Sequence, residues 1–346
     1  MGEDASALEI AQAIREGDRR AMARAITRIE STRDEDRALG QAILEALIEN
    51  AGDAIRVGIT GPPGVGKSTF IEALGLRLIE EGKRVAVLAV DPTSPVTGGS
   101  ILGDKTRMER LSVRPEAFIR PSPSGGSLGG VAHRTREVML LCEAAGYDVV
   151  LIETVGIGQS EVAVASMVDF FLVLLLPAGG DELQGIKKGV VELADALVVN
   201  KADGPTREVA ERTRAEYAMA LDLIRGSGDG WRPRALVASA LESKGIDEVW
   251  QTILEHDEQM KASGEFERRR ADQARAWLWK LLEEGVDRMF REQPGMREAI
   301  AREEEAVAAQ KTTPAAAART LLEAFRRSIF GSRDPASGAA AGEESD

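Results

Sequence analysis

Short apolar runs alternate with amphipathic segments through the middle of the chain. Between Ile55 and about residue 238, the runs are separated by Gly-rich or polar turns and by segments with apolar residues at helical spacing. Runs without polar alternation are typical of strands covered on both faces, and strands that alternate with helices favour a parallel sheet. The pattern therefore predicts a doubly wound, mainly parallel α/β domain. Its expected strands are IRVGIT, RVAVLAV, AFIR, DVVLIE, FFLVLLL, DALVVN and ALVA.

The N-terminal part of the chain has apolar residues at helical spacing and lacks strand-like runs. Asp18 is placed to cap the second helical segment. We therefore expect an N-terminal helical extension at residues 1–54, followed by the α/β domain at 55–255. The apolar positions of the extension are Leu8, Ala11, Ile14, Ile26, Ile29, Leu39, Ile43, Leu44 and Leu47.

The spacing of apolar residues also predicts helices in the C-terminal part of the chain. A last helix is expected to begin with Pro314 and to end at Gly331, and a longer amphipathic helix precedes it. These helices could pack on their own domain, or they could form an arm exchanged between two copies. We expect a C-terminal helical region at 256–331 and a disordered tail at 332–346, since that tail has few apolar residues. The stripe of the longer helix comprises Ala274, Leu278, Leu281, Leu282, Val286 and Met289.

Composition and charge narrow the class of protein. The 346 residues carry a formal net charge of -13, which argues against broad nucleic-acid binding. The single cysteine, Cys142, cannot form an intramolecular disulfide and fits a reducing compartment. The N-terminus lacks the pattern of a secretory signal, and the run Phe170 to Leu176 is far shorter than the about 20 residues of a membrane-spanning helix. We expect a cytoplasmic protein with neither nucleic acid nor membrane as a partner.

The segment GPPGVGKS has the pattern of a phosphate-binding loop. It follows the expected strand IRVGIT and precedes a segment with helical periodicity, which is the context this motif requires. Its glycines let backbone N–H groups turn toward phosphate, Lys67 can reach the outer phosphates, and Ser68 can ligate Mg²⁺. The predicted nucleotide contacts here are Gly61, Pro62, Pro63, Gly64, Val65, Gly66, Lys67, Ser68 and Thr69.

The segment NKAD predicts a pocket for guanine. Asp203 can accept hydrogen bonds from the ring N–H and the exocyclic amine of guanine, while Asn200 and Lys201 shape the pocket. Adenine has no matching pair of donors, so the carboxylate that binds guanine rejects adenine. Taken alone, a four-letter motif can also be a solvated loop. The motif gains support because it follows a phosphate loop and precedes a strand that ends in Ser239, Ala240 and Leu241, which we expect to lie against the base.

Acidic residues at two further strand ends are candidate Mg²⁺ groups. Asp91 follows RVAVLAV and Glu153 ends DVVLIE, and Mg²⁺ prefers carboxylates together with phosphate oxygens and water. Such carboxylates can instead be turn formers or helix caps. Gly156 could offer a backbone N–H to a γ-phosphate, so ETVGIGQSE is interpreted as a switch segment.

Hydrolysis of a bound GTP would need a group that positions the attacking water, and the sequence pattern does not identify it. Many GTPases have Gln directly after the switch glycine, but Ile157 stands there and Gln159 lies further on. Intrinsic hydrolysis should therefore be slow unless another group assists. The candidates are Asp104, Arg107, Lys187 and Lys188, for which ordinary solvated loops and a helix start are the alternative.

Taken together, these segments resemble the methylmalonyl-CoA mutase-associated GTPase chaperones, the MeaB group, formerly described as ArgK-type transport kinases. The resemblance rests on TGPPGVGKSTF, AVDPTSPVTGGSILGDKTRM, RPSPSGGSLGGVA, DVVLIETVGIGQSE, PAGGDELQGIKKG and NKAD. It is close from about Asp53 to Lys244 and loose in the helical ends.

The resemblance implies a P-loop GTPase domain of the SIMIBI class and a homodimer held by the C-terminal helices. It implies a client that is an adenosylcobalamin-dependent acyl-CoA mutase, whose cofactor loading and protection depend on GTP hydrolysis. Asp181, Lys187 and Lys188 match the family's third switch, which couples the nucleotide state to the mutase. The cobalamin should belong to the partner, because no DxHxxG-type segment is present. By the same resemblance, phosphate and Mg²⁺ would be served by Lys67, Ser68, Asp91, Asp104 and Glu153.

Two other functions compete with this one. A metal-insertion GTPase of the nickel type would need a His-rich or Cys-rich segment, and the chain has only His133, His256 and Cys142 for such a site. A kinase acting on a transport protein would transfer phosphate to a protein instead of releasing it. The expected guanine selectivity weighs weakly against that alternative.

Overall fold

The centre of the fold is a seven-stranded sheet whose described strand pairs are all parallel. The computed structural model describes residues 6–31, 33–90, 108–121, 128–154, 160–177, 188–225 and 230–330. The strand order is β3-β2-β4-β1-β5-β6-β7, which places β1 at the centre. The strands are β1 (Ile55–Thr60), β2 (Val85–Val90), β3 (Ala117–Pro121), β4 (Val149–Thr154), β5 (Phe170–Leu175), β6 (Ala196–Val199) and β7 (Arg234–Val237).

Each of the seven strands coincides within one residue with a run predicted from the sequence. β2, β4 and β5 are buried along their whole length because helices cover both faces of the sheet. The prediction of a doubly wound parallel α/β fold is therefore confirmed.

Two hydrophobic clusters fill the two faces of the sheet, and alternate strand residues contribute to each. On one face lie α1 (Ala7–Arg15), α2 (Arg19–Glu30), α3 (Asp34–Leu47), α6 (Leu128–Ala144), α7 (Ser160–Ala165), α8 (Lys188–Leu193) and α9 (Arg207–Arg225). On the other lie α4 (Lys67–Glu80), α5 (Glu109–Ser112) and α10 (Ile246–Ser263). Short 3₁₀ turns occur at Ile48–Asn50 and Gly204–Thr206.

The predicted N-terminal helices are present as α1 to α3. Asp18 caps α2 as predicted, and its carboxylate accepts hydrogen bonds from the backbone N–H groups of Arg20 and Ala21 at 2.8 and 3.1 Å. Most of the predicted apolar positions are buried. Leu8 is an exception, because its side chain is 68% exposed while Ile10 of the same helix is buried.

The chain divides into two units, residues 1–270 and 271–346. The boundary predicted at residue 255 falls inside α10 and stays a prediction, as do the others. α11 (Glu265–Glu292) contains the observed division, and α12 (Met296–Ala308) and α13 (Pro314–Phe330) follow.

In the second unit the rings of Phe290 and Phe325 pack edge to face, 5.1 Å apart. Of the predicted stripe on α11, Leu278, Val286 and Met289 are more than half-exposed. None of the described helices is both long and apolar enough to cross a membrane.

Candidate nucleotide site

The predicted phosphate loop lies between the carboxyl end of β1 and the first turn of α4. Its three glycines, Gly61, Gly64 and Gly66, have positive φ angles of 151°, 78° and 92°. At Gly61 a Cβ atom would lie 2.5 Å from the carbonyl oxygen of Leu174, so the backbone passes too close to β5 for any other residue. The glycine spacing of the motif is therefore required by the conformation of the loop.

Lys67 folds back across this loop. Its ammonium donates hydrogen bonds to the carbonyl oxygens of Gly61 at 2.8 Å and Pro62 at 3.3 Å. α4 begins at Lys67, and its N-cap Gly66 offers no side chain to the first N–H groups of the helix. The positive end of α4 and the ammonium thus lie at the same loop, an arrangement that can bind a phosphate chain.

Ser68 and Glu153 bring two oxygen donors together. The Ser68 hydroxyl donates to a carboxylate oxygen of Glu153 at 3.1 Å, and Glu153 is 5% exposed. Ser68 lies in the first turn of α4 and Glu153 at the carboxyl end of β4. Hard oxygen donors at this separation fit Mg²⁺, which takes only one or two protein ligands when phosphate oxygens complete its shell.

The predicted base loop is joined to the phosphate loop by Asn200. Its side-chain amide donates to the carbonyl oxygen of Val65 at 2.8 Å, and its side-chain oxygen accepts from the backbone N–H of Ala240 at 3.1 Å. Asn200 is 1% exposed. The segments at 61–68, 200–203 and 239–241, far apart in the sequence, therefore meet at one buried side chain.

Asp203 is oriented by Ser239, whose hydroxyl donates to one carboxylate oxygen at 2.8 Å. Lys201 has a positive φ of 59°, uncommon for a residue with a side chain, and such strain is concentrated at functional sites. A Cβ atom on Gly66 would lie 3.0 Å from the side-chain nitrogen of Asn200 and 3.9 Å from Cε of Lys201. The base loop therefore packs directly on the phosphate loop, and Leu241 at its rim is 78% exposed.

Two threonines at this edge were not singled out by the sequence patterns. Thr60 ends β1 and Thr154 ends β4, and their buried hydroxyls lie 2.7 Å apart. The available signal was that IRVGIT and VVLIET are otherwise apolar runs that both finish in threonine.

Several predicted groups lie outside the described residues. They are Asp91, Asp104, Arg107, Gly156, Ile157, Gln159, Asp181 and Lys187. Lys188 is the first residue of α8, but its side chain is not described. The described residues thus bring together the phosphate loop, Glu153 and the base loop.

One protein family matches most of this chain. Its profile, described as methylmalonyl Co-A mutase-associated GTPase MeaB, matches residues 22–295. A probable GTPase of Mycobacterium tuberculosis (strain ATCC 25618 / H37Rv) is 55% identical over 315 residues, 91% of this chain and 94% of the relative. The mitochondrial methylmalonic aciduria type A homolog of Mus musculus is 49% identical over 320 residues, 90% of this chain and 77% of the relative. The crystal structure of a LAO/AO transport system kinase superposes with a TM-score of 0.75 at 40% identity, over 94% of this chain and 99% of that chain.

Proposed function

The chain belongs to the MeaB family of methylmalonyl-CoA mutase-associated GTPases, and from this we propose that it couples GTP hydrolysis to adenosylcobalamin loading and protection of an acyl-CoA mutase. The chain is a GTPase, and its product is GDP with phosphate. The observation that carries the nucleotide assignment is the Asn200 side chain, which joins the phosphate loop at Val65 to the base loop at Ala240.

In the proposed site, Lys67 binds the outer phosphates. In the structure its ammonium donates to two neutral carbonyl oxygens of the loop. Hydrogen bonds to a charged phosphate are stronger than those to neutral acceptors, so exchange of one for the other is favourable. The loop from Gly61 to Thr69 would supply the remaining phosphate contacts through its backbone and through the start of α4.

Guanine would be bound by Asp203 with the support of Ser239 and Asn200. The Ser239 hydroxyl occupies one carboxylate oxygen, which orients the carboxylate but leaves it lone pairs for the two donors on the edge of guanine. Lys201, Ala240 and Leu241 would line the pocket. Adenine would leave the carboxylate without partners, which supports selectivity for guanine.

Ser68 and Glu153 would hold Mg²⁺ together with phosphate oxygens. When bound, the ion neutralises charge that develops on the transferred phosphoryl group. By the resemblance to the family, Asp91 and Asp104 would serve the same ion, Gly156 would sense the γ-phosphate, and Lys187 and Lys188 would assist hydrolysis when the mutase is bound.

The proposed partner is an acyl-CoA mutase that carries adenosylcobalamin itself. The family description names association with methylmalonyl-CoA mutase, which supports a client of this chemical class. Two copies of the chain joined through the C-terminal helices would form the acting unit. The partly exposed apolar stripe of α11 supports this arrangement.

A second candidate is suggested by the structural relative described as a transport system kinase. Under that alternative, the γ-phosphate of the nucleotide would be transferred to a protein and would not be released. The fate of a labelled phosphate therefore separates the two functions.

The deciding experiment follows γ-labelled GTP and ATP with the purified protein, alone and with an adenosylcobalamin-dependent acyl-CoA mutase from the same organism. We expect slow release of phosphate from GTP only, rising severalfold with the mutase, and no labelled protein. Lys67→Ala should abolish turnover, whereas Lys311→Ala, at an exposed position, should behave like the wild type. Turnover that ignores every such mutase would contradict the proposed client, and labelled protein would favour the kinase.

A further inference from the structure

Thr60 and Thr154 form a buried hydroxyl pair at the end of two central strands. Thr154 Oγ1 donates to Thr60 Oγ1 at 2.7 Å, and the two residues are 0% and 1% exposed. Thr60 directly precedes Gly61 of the phosphate loop, and Thr154 directly follows Glu153. The pair therefore links the residue before the loop to the residue after the buried carboxylate.

The hydroxyl pair extends the β1–β4 ladder by one residue. The last register pair of these strands is Ile59 with Glu153, so Thr60 and Thr154 stand one step beyond it. Strand ends open more readily than strand centres because fewer bonds hold them. A side-chain bond at this step holds the end of β4 against β1 where the backbone ladder stops.

Consecutive strand residues point to opposite faces, and the end of β4 uses both faces. Glu153 points toward α4, where it accepts the hydrogen bond from Ser68 at 3.1 Å. The threonines lie on the opposite face, which is also the face of Gly58. There a Cβ on Gly58 would approach Val164 of α7 to 2.7 Å. One face of this strand end thus fixes the backbone while the other presents the carboxylate.

We infer that Thr154, through its bond to Thr60, is a positioning residue that holds the Glu153 carboxylate within reach of Ser68 and of the Mg²⁺ bound there. The inference rests on the proposed Mg²⁺ site. If the hydroxyl bond is lost, the end of β4 stays paired with β2 at Val90 but loses its side-chain bond to β1. The position of Glu153 relative to Ser68, which follows β1, is then less closely fixed. Groups that orient a metal ligand without touching the metal contribute to affinity in this way.

The test measures the Mg²⁺ concentration that gives half-maximal binding of a fluorescent, non-hydrolysable GTP analogue. Thr154→Val keeps the shape of the side chain but removes its hydroxyl, and we expect it to raise this concentration about 3- to 10-fold, the effect of one net hydrogen bond. Thr154→Ser keeps the hydroxyl and should stay within about twofold of the wild type. Affinity for GDP without Mg²⁺ should be unchanged, because the phosphate loop is intact.

The double variant Thr60→Val/Thr154→Val separates positioning from packing. Thr154→Val alone leaves the Thr60 hydroxyl buried and unpaired, so its urea midpoint should fall, whereas removal of both hydroxyls should restore much of the stability. The raised Mg²⁺ requirement should nevertheless persist in the double variant. A matched control is Thr252→Val, since Thr252 is similarly buried and its hydrogen bond among the described residues goes to Glu248 of its own helix.

Two results would overturn the inference. The first is an unchanged Mg²⁺ requirement in Thr154→Val. The second is a double variant in which both the Mg²⁺ requirement and the urea midpoint return to wild-type values, since the effect of Thr154→Val would then come from lost stability. A wild-type protein that binds the GTP analogue equally well without Mg²⁺ would instead refute the proposed Mg²⁺ site, and the inference with it.

Discussion

The carboxyl ends of the parallel strands form one edge of the central sheet and their amino ends form the other, here called the carboxyl edge and the amino edge. Both edges carry polar residues, but these residues have opposite roles. At the carboxyl edge, the groups proposed to bind a ligand are the phosphate loop with the first turn of α4 and the carboxylate of Asp203, which Ser239 orients through one oxygen. At the amino edge, Asp169 and Asp195 stand directly before β5 and β6. There the carboxylates are occupied by the protein itself.

Asp169 shows how completely the amino edge is paired. Arg270 donates to its two carboxylate oxygens at 2.8 and 2.6 Å, and the backbone N–H of Arg56 donates to one of them at 2.9 Å. Arg270 also donates to the carbonyl oxygens of Gly52 and Ala54. Burial works against the charge of Arg270, but the bond to Asp169 and its negative charge hold the pKa of the guanidinium above its ordinary value.

A second ion pair lies beside the first. Arg56 and Glu143 are both buried, and a guanidinium N–H donates to the carboxylate at 2.9 Å. Asp195 accepts from the backbone N–H of Phe171 at 2.9 Å and from Arg269 at 3.4 Å. Buried charges that are paired and hydrogen-bonded serve the structure, whereas polar groups left open at a strand edge serve a ligand.

The largest expected effect is at the amino edge. Asp169→Ala would leave the mostly buried guanidinium of Arg270 without its carboxylate partner, and breaking such a pair costs about 3–5 kcal/mol of unfolding free energy. Urea unfolding followed by circular dichroism measures this loss. Glu211→Ala, in an exposed pair with Arg214, should cost less than about 1 kcal/mol. The folded fraction of Asp169→Ala should bind GTP as the wild type does, and a stability loss below about 1 kcal/mol would mean that the pair is not structural.

The two edges also differ in how far the sequence predicts them. The carboxyl edge is predictable because each motif is contiguous: GPPGVGKS and NKAD each follow an apolar run, so their place in a parallel sheet follows from the strand pattern. The amino-edge pairs join residues 101 and 87 positions apart. No local pattern marks Arg270 as the partner of Asp169, since Asp169 is one of many acidic residues before a strand and Arg270 is one of several arginines in the first two turns of α11.

Individual side chains limit prediction even inside a correctly predicted element. Leu8 belongs to the apolar stripe of α1 by spacing, yet it is exposed because Ile10, Ala11 and Ile14 already fill the contact with the other helices. The Thr60–Thr154 bond forms because β1 and β4 are neighbours in the sheet. The sequence of a single strand does not reveal which strands lie beside it.

The next effect tests the carboxyl edge with a change that should spare stability. Asp203→Asn reverses the hydrogen-bond preference of the base pocket, so GTP affinity should fall about 10- to 100-fold, and xanthosine triphosphate should be preferred. Competition binding with both nucleotides measures the switch. The Ser239 hydroxyl can still donate to the side-chain oxygen of asparagine, so unfolding should be unchanged. Asp222→Asn, on the exposed surface of α9, is the matched control, and equal GTP binding by both variants would refute the base pocket.

The smallest effect concerns Glu137, a buried carboxylate on α6. Asp169 has a bidentate arginine partner at 2.8 and 2.6 Å, whereas the described ion-pair contact of Glu137 is longer. Burial raises the pKa of Glu137 to about 7, against the opposing influence of the charges on Arg134 and Arg37. His133 Nδ1 lies 3.4 Å from its carboxylate. The folded state therefore binds the proton more tightly than the unfolded state, in which the pKa has its ordinary value of about 4.5.

The sign of the pH dependence follows from this raised pKa. The contribution of Glu137 to stability is fully present below its ordinary pKa and is lost as pH rises through about 7. Glu137→Gln removes that loss, so relative to the wild type the variant should gain on the order of 1 kcal/mol between pH 5 and pH 8. Urea unfolding across this range measures the difference, with the exposed Glu45→Gln as control. If the difference in unfolding free energy between Glu137→Gln and the wild type were constant with pH, the pKa of Glu137 would not be raised. Glu137 would then be a paired, ionised carboxylate like Asp169.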